Sequence, residues 1–134
     1  RMVDKLYLGW AGFDVAVSTI ARAVGLGGGC AGVFGIPRGG LPLAVALSHQ
    51  GGWPLVTEVT PRVLVVDDVV ETGTTMRAFV SSHHPPGLVW AWVAKIESSP
   101  VRFVRAAPLS CWVVFPWERR DAADEDAAEY YSRR

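Results

Sequence analysis

A doubly wound, mostly parallel α/β sheet is the fold this sequence predicts, and three observations predict it. Arg62-Val63-Leu64-Val65-Val66 holds a continuous β-branched run of the kind that forms a central parallel strand buried on both faces. Apolar residues recur at helical spacing in Phe13, Val17, Ile20, Ala21 and Val24. Short apolar runs then alternate with breaks and helical patterns along the chain, the rhythm of successive βαβ units.

Each element follows from local chemistry. The first helix runs from Phe13 to Val24 and is stopped by the glycine-rich stretch Gly25 to Gly29. Cys30 to Ile36 reads as a strand, Pro37-Arg38-Gly39-Gly40 as its break, and Pro42 to His49 as an apolar helix with proline in its first turn. Leu55 to Thr60 is a weaker strand candidate, and Arg62 to Val66 is the central strand. A polar turn leads to a helix from about Thr75 to Ser82, His83-His84-Pro85-Pro86-Gly87 ends it, and a strand spans Leu88 to Ile96. Cys111 to Phe115 is a last strand. Arg119 to Arg134, rich in alanine and charge, reads as a loose helix or a frayed tail.

Length and composition restrict the function classes. The 134 residues suffice for one core and not for two ordinary domains. A formal net charge of zero gives no field for nucleic acid or an anionic membrane surface, so any phosphate contact must be local. No apolar run reaches the roughly 20 residues of a membrane span. The start, Arg1-Met2-Val3-Asp4-Lys5, lacks a secretory h-region, and Arg1 ahead of Met2 looks like a tag remnant, so the expected location is the cytoplasm. Cys30 and Cys111 each sit in an apolar stretch, which suits small core residues better than a disulfide or a metal site.

The chemistry gathers after the central strand. Ligands of open parallel sheets bind at the carboxyl ends of the strands, and there Asp67 and Asp68 directly follow Val66. Two adjacent carboxylates are costly to bury without partners, so they should face a solvated crevice and accept hydroxyls or a hydrated Mg²⁺. Glu71-Thr72-Gly73-Thr74-Thr75 then joins strand to helix with a glycine at the sharp turn and several hydroxyls, the parts of a phosphate cup. A capped turn would use the same residues, and only the whole string separates the two readings. Gly27 to Gly32 matches G-x-G-x-x-G but precedes a strand, so it is a helix stop and linker. His49, His83 and His84 lie at helix ends with no second ligand cluster near them.

Val63-Leu64-Val65-Val66-Asp67-Asp68-Val69-Val70-Glu71-Thr72-Gly73-Thr74-Thr75 resembles the binding signature for 5-phosphoribosyl-1-pyrophosphate (PRPP) of type I phosphoribosyltransferases. The resemblance implies that Asp67 and Asp68 bind the ribose hydroxyls and, through water, Mg²⁺, and that Thr72, Gly73, Thr74 and Thr75 hold the 5-phosphate. The third acid, Glu71, stands where members acting on 6-oxopurines commonly have an Asp that handles a base proton. Gly35 to Pro42 is similar to the pyrophosphate loop of the xanthine-guanine and hypoxanthine branch, which assigns Arg38 and the amides of Gly39 and Gly40 to the pyrophosphate. Cys111 to Glu118 is similar to that branch's base-recognition segment. It implies that Trp112 stacks on a purine, that Lys95 donates to the 6-oxo group and that Glu118 also lies at the base.

The expected layout is one domain over residues 1–134, with a core at about 10–96, a hood at about 97–118 and a charged tail at 119–134. The expected activity is Mg²⁺-dependent transfer of the phosphoribosyl group from PRPP to guanine, xanthine or hypoxanthine. The implied partners are PRPP and a purine base or nucleotide, with neither nucleic acid nor membrane, and a homodimer is compatible with them. Catalytic relatives carry a long flexible loop between the pyrophosphate helix and the PRPP strand, where this chain has only Gly51 to Arg62. That short connection and Glu71 support the alternative, a non-catalytic PRPP or nucleotide sensor.

Overall fold

A computed structural model describes residues 4–95 and 101–133. Its elements are β1 (Asp4–Tyr7), α1 (Trp10–Leu26), β2 (Gly32–Gly35), α2 (Leu41–Gly51), β3 (Val63–Val70), α3 (Thr74–Arg77), β4 (Val89–Ala94), β5 (Arg102–Ala106), β6 (Cys111–Val114) and α4 (Ala123–Ser132). Strands β2, β3, β4 and β5 form one sheet in that order, and β1 pairs with β6 in a second. Every strand pairing among the described residues is parallel.

The central strand shows why a continuous apolar run is needed. Side chains alternate across a strand, and in β3 Leu64 and Val66 enter one core cluster while Val63 and Val65 enter another. Strand β4 repeats the pattern, with Trp90 and Trp92 on the first side and Val89 and Ala91 on the second. The first side is covered by α1 and α2, whose Phe13, Ala16, Val17, Ile20, Val24, Leu43, Ala44 and Leu47 are buried. The second is covered by Met76, with Phe79, Val80, Val56 and Val59 packed partly buried against it. Removing a fully buried side chain such as Leu64 down to alanine would cost about 2–5 kcal/mol.

Several expected elements change. Leu55 to Thr60 is no strand: Leu55 makes a single parallel bridge to Val33, and the chain between Pro54 and Pro61 otherwise turns. Proline at both ends limits its ladder bonding. The helix expected over Thr75 to Ser82 is the single turn α3. There the Ala78 and Phe79 amides donate to Thr75 and Met76, three residues back, which tightens the chain and brings Phe79 against Phe34 at 5.3 Å between ring centroids. The central strand runs on through Val70, so Asp67 and Asp68 belong to the strand and do not follow it. Strands β1 and β5 are additions, and the segment expected to be a loose helix or a frayed tail contains the helix α4. The expected strand end Ile96, residues 97–100 of the hood and Arg134 lie outside the described residues. No helix among those described is long and apolar enough to cross a membrane.

An aromatic cluster holds the hood. Phe115 and Trp117 stack at 5.1 Å and 4°, Trp92 meets Phe115 at 5.4 Å, and Phe13 meets Trp92 at 5.7 Å. The chain after β6 is thereby fixed against β4 and α1, which sets the position of Trp112 three residues before Phe115.

Candidate functional site

A cavity of about 570 Å³ opens where the carboxyl end of β3 meets the loop after β2 and the hood. Its floor is Asp67 to Met76, one wall is Ile36 to Gly39, and the other holds Trp112, Val113, Phe115 and Glu118. The loop after β2 is tied to the strand by the Ile36 amide, which donates to the Val66 carbonyl at 2.9 Å. The Pro37–Arg38 peptide is cis. Gly39 is needed by close approach: a Cβ there would stand 2.1 Å from Asp68 Oδ2. Gly40 does not line the cavity, and its amide already donates to the Ile36 carbonyl at 2.9 Å.

The two aspartates sit in a poorly compensated position. The Asp68 amide donates to Asp67 Oδ1 at 2.8 Å, and the Val69 amide to Asp68 Oδ1 at 2.7 Å. Burial, and for Asp67 also the neighbouring carboxylate, holds both groups above the ordinary carboxylate range. Such a pair fits a cation and hydroxyl donors. Mg²⁺ is commonly held by one or two carboxylates with substrate phosphates and water completing its shell, and Asp67 and Asp68 would supply such carboxylates. No group of three or more potential metal ligands occurs among the described residues, so the chain's own groups would not cage an ion.

The phosphate cup follows β3 directly. Gly73 takes a left-handed backbone with φ +79°, which turns the chain into α3. The Thr72 hydroxyl donates to the Thr74 hydroxyl at 3.0 Å and accepts from the Thr74 amide at 3.3 Å, while Thr72 to Thr75 all line the cavity. Because α3 is one turn, hydroxyls and loop amides carry this site with little help from a helix dipole.

The other half of the cavity is knitted together by the protein itself. Lys95 is 6 % exposed, and its ammonium donates to Glu71 Oε1 at 3.3 Å. Glu71 Oε2 accepts from the Tyr130 hydroxyl. Trp112, half-buried, has the Lys95 ammonium 5.6 Å from its ring centroid and the Tyr130 and Tyr131 rings at 5.4 and 5.8 Å. Glu118 accepts from the Phe115 amide at 2.9 Å and is raised in pKa mainly by burial. Lys95 does not line the cavity, and Trp117 packs in the aromatic cluster.

Comparison with known proteins agrees with this arrangement. No protein-family model and no curated protein matches the sequence. Among solved structures, the purine phosphoribosyltransferase of Pyrococcus horikoshii Ot3 is similar over 87 % of this chain and 95 % of its own, at 27 % identity and a TM-score of 0.70. The chain has the type I phosphoribosyltransferase fold and is similar to members of that family. Two further structures share the fold of this chain at lower identity. The xanthine-guanine-hypoxanthine phosphoribosyltransferase of Helicobacter pylori covers 94 % of this chain and is itself covered to 97 %, at 18 % identity and a TM-score of 0.62. A hypothetical protein of Neisseria gonorrhoeae with bound ppGpp covers 100 % and is covered to 99 %, at 17 % and 0.66.

Sequence reasoning missed Tyr130 and Arg133, both of which line the cavity. The signal was present but faint: Ala123, Ala127 and Tyr130 fall at i, i+4 and i+7, one face of a helix, inside a segment dominated by charge.

Proposed function

We propose that this chain, with its phosphoribosyltransferase-like fold, transfers the phosphoribosyl group of PRPP to a 6-oxopurine in a Mg²⁺-dependent reaction. The observation that carries the reading is the meeting of two groups in one cavity. Asp67, Asp68, Thr72 to Thr75 and Arg38 suit a ribose with phosphates at both ends, and Trp112 and Glu118 suit a flat, hydrogen-bonding ring. A base nitrogen forms the new bond to the anomeric carbon, the bond to the pyrophosphate oxygen breaks, and pyrophosphate leaves with that electron pair. Asp67 and Asp68 hold the ribose by its hydroxyls, Thr72 to Thr75 hold the 5-phosphate, and Arg38 with the Gly39 amide faces the leaving group. Rigid holding of this kind supplies much of the rate in a displacement at a sugar carbon. Mg²⁺ held at Asp67 and Asp68 would neutralise charge on the departing oxygens. Glu71 reaches the base proton only by exchanging its bonds to Lys95 and Tyr130.

A second reading, a nucleotide sensor without turnover, is favoured by one observation: residues 51–62 contribute nothing to the cavity, so no loop of the α2–β3 connection closes it. The ppGpp bound to the similar Neisseria gonorrhoeae protein is in keeping with that reading. Incubation with PRPP, Mg²⁺ and each of guanine, xanthine and hypoxanthine, with orotate as the control, tests the two. Nucleoside monophosphate from a purine supports transfer. Binding of PRPP with no product from any base would replace the enzyme by the sensor.

A further inference from the structure

Resting on the base-site reading above, we propose that Tyr130 is an internal gate of the base subsite, so that a purine can bind only by displacing the carboxyl-terminal half of α4. Three observations lead there. The Tyr130 ring lies 5.4 Å from Trp112, and its hydroxyl donates to Glu71, so one side chain already makes both an aromatic contact and a polar contact of the kind a purine would seek. Tyr130 and Arg133 line the same cavity as Asp67, Asp68 and Arg38, which places α4 over the site that the α2–β3 connection leaves open. The helix is also held unequally. At its start Lys5 pairs with Asp124 at 2.6 Å and Ala123 and Ala127 are buried, whereas Tyr130 is 41 % exposed and Arg133 pairs only along the helix, with Glu129 at 2.5 Å.

A helix anchored at one end by a salt bridge and buried small residues, and at the other by partly exposed rings that meet Trp112 and a hydroxyl on Glu71, opens first at the second end. A ligand that needs that position has its intrinsic affinity multiplied by the fraction of time the helix is open. PRPP, held at Asp67, Asp68 and the threonine cup, does not compete with Tyr130.

The test is calorimetric titration of wild type, Tyr130→Phe and Tyr130→Ala with GMP and, separately, with PRPP and Mg²⁺. Amide exchange of residues 123–132 is followed with and without GMP. The expected result is GMP binding roughly tenfold tighter in Tyr130→Ala than in wild type, Tyr130→Phe lying between them because the ring remains and the hydroxyl bond is lost. PRPP affinity stays the same in all three, and GMP speeds exchange in wild-type α4. Unchanged GMP affinity in Tyr130→Ala overturns the gate, and weaker GMP binding overturns it in favour of Tyr130 as a wall of the site. If PRPP binds normally in either case, the proposed function survives without the gate. If neither ligand binds any form, the proposed function and the gate fall together.

Discussion

The two halves of the cavity are built on opposite principles. On the ribose and phosphate side, Asp67 and Asp68 crowd one another under partial burial, both held above their ordinary pKa, and Arg38 stands exposed at the rim. On the base side, polar groups are satisfied from within: Lys95 and Tyr130 share the Glu71 carboxylate, and Glu118 takes the Phe115 amide. The first half stores unfavourable electrostatics that a ligand and a cation relieve, whereas the second pairs Glu71 internally and holds a raised carboxyl in Glu118. On the proposed reading, binding of PRPP and acceptance of a base would therefore be separable, and variants should affect them independently.

The largest effect is expected where the internally paired half is broken. Glu71→Ala leaves a buried Lys95 ammonium without its carboxylate, and loss of one partner of a buried pair costs about 3–5 kcal/mol. Urea denaturation should show that loss, while Glu71→Gln, which keeps an acceptor, should lose clearly less. Equal stability of Glu71→Ala and wild type would mean that the base half is not held by this pair.

In the strained half, Arg38→Ala should weaken PRPP binding roughly ten- to a hundredfold, the worth of a charge-assisted contact of about 1.5–3 kcal/mol, with little change in stability because the side chain is exposed. A nucleoside monophosphate, which lacks the pyrophosphate, should bind the variant as it binds wild type. Loss of both affinities to the same degree would place Arg38 outside a dedicated pyrophosphate contact.

The smallest effect is a pH dependence. Carboxyls raised in the folded state bind more protons there than in the unfolded chain, so they make stability fall as pH rises above about 4 toward their folded values. The Asp67→Asn/Asp68→Asn variant removes that slope. It should exceed wild type in thermal stability at pH 8 by on the order of 1 kcal/mol, with the gap closing toward pH 4. A gap of the opposite sign at pH 8 would show that the carboxylates stabilise the fold.

The strained half was legible in the sequence and the internally paired half only partly. Asp67 to Thr75 is contiguous, so its position at the end of β3 follows from one apolar run and one turn. Trp112 and Glu118 could be inferred from their segment, but the Glu71–Lys95–Tyr130 chain joins residues 24 and 59 positions apart, which no local pattern reports. Strand β5 was hidden by Arg102 and Arg105, exposed on a sheet edge where charge is tolerated, and β1 by being four residues long and paired with β6 at the far end of the chain. Helix α4 read only as a loose helix or a frayed tail because the residues that dock it are mainly alanines, whose burial leaves little trace in a charged segment.

Titration of PRPP with Mg²⁺ into wild type and Asp67→Asn/Asp68→Asn, in two buffers of different ionisation heat, tests the account most directly. Wild type should bind, and its heat should differ between buffers because raised carboxyls give up protons as the ligand enters. The double variant should bind ten- to a hundredfold more weakly or worse and show no such difference, with its fold intact. Equal affinity of the two proteins would contradict a PRPP site at Asp67 and Asp68.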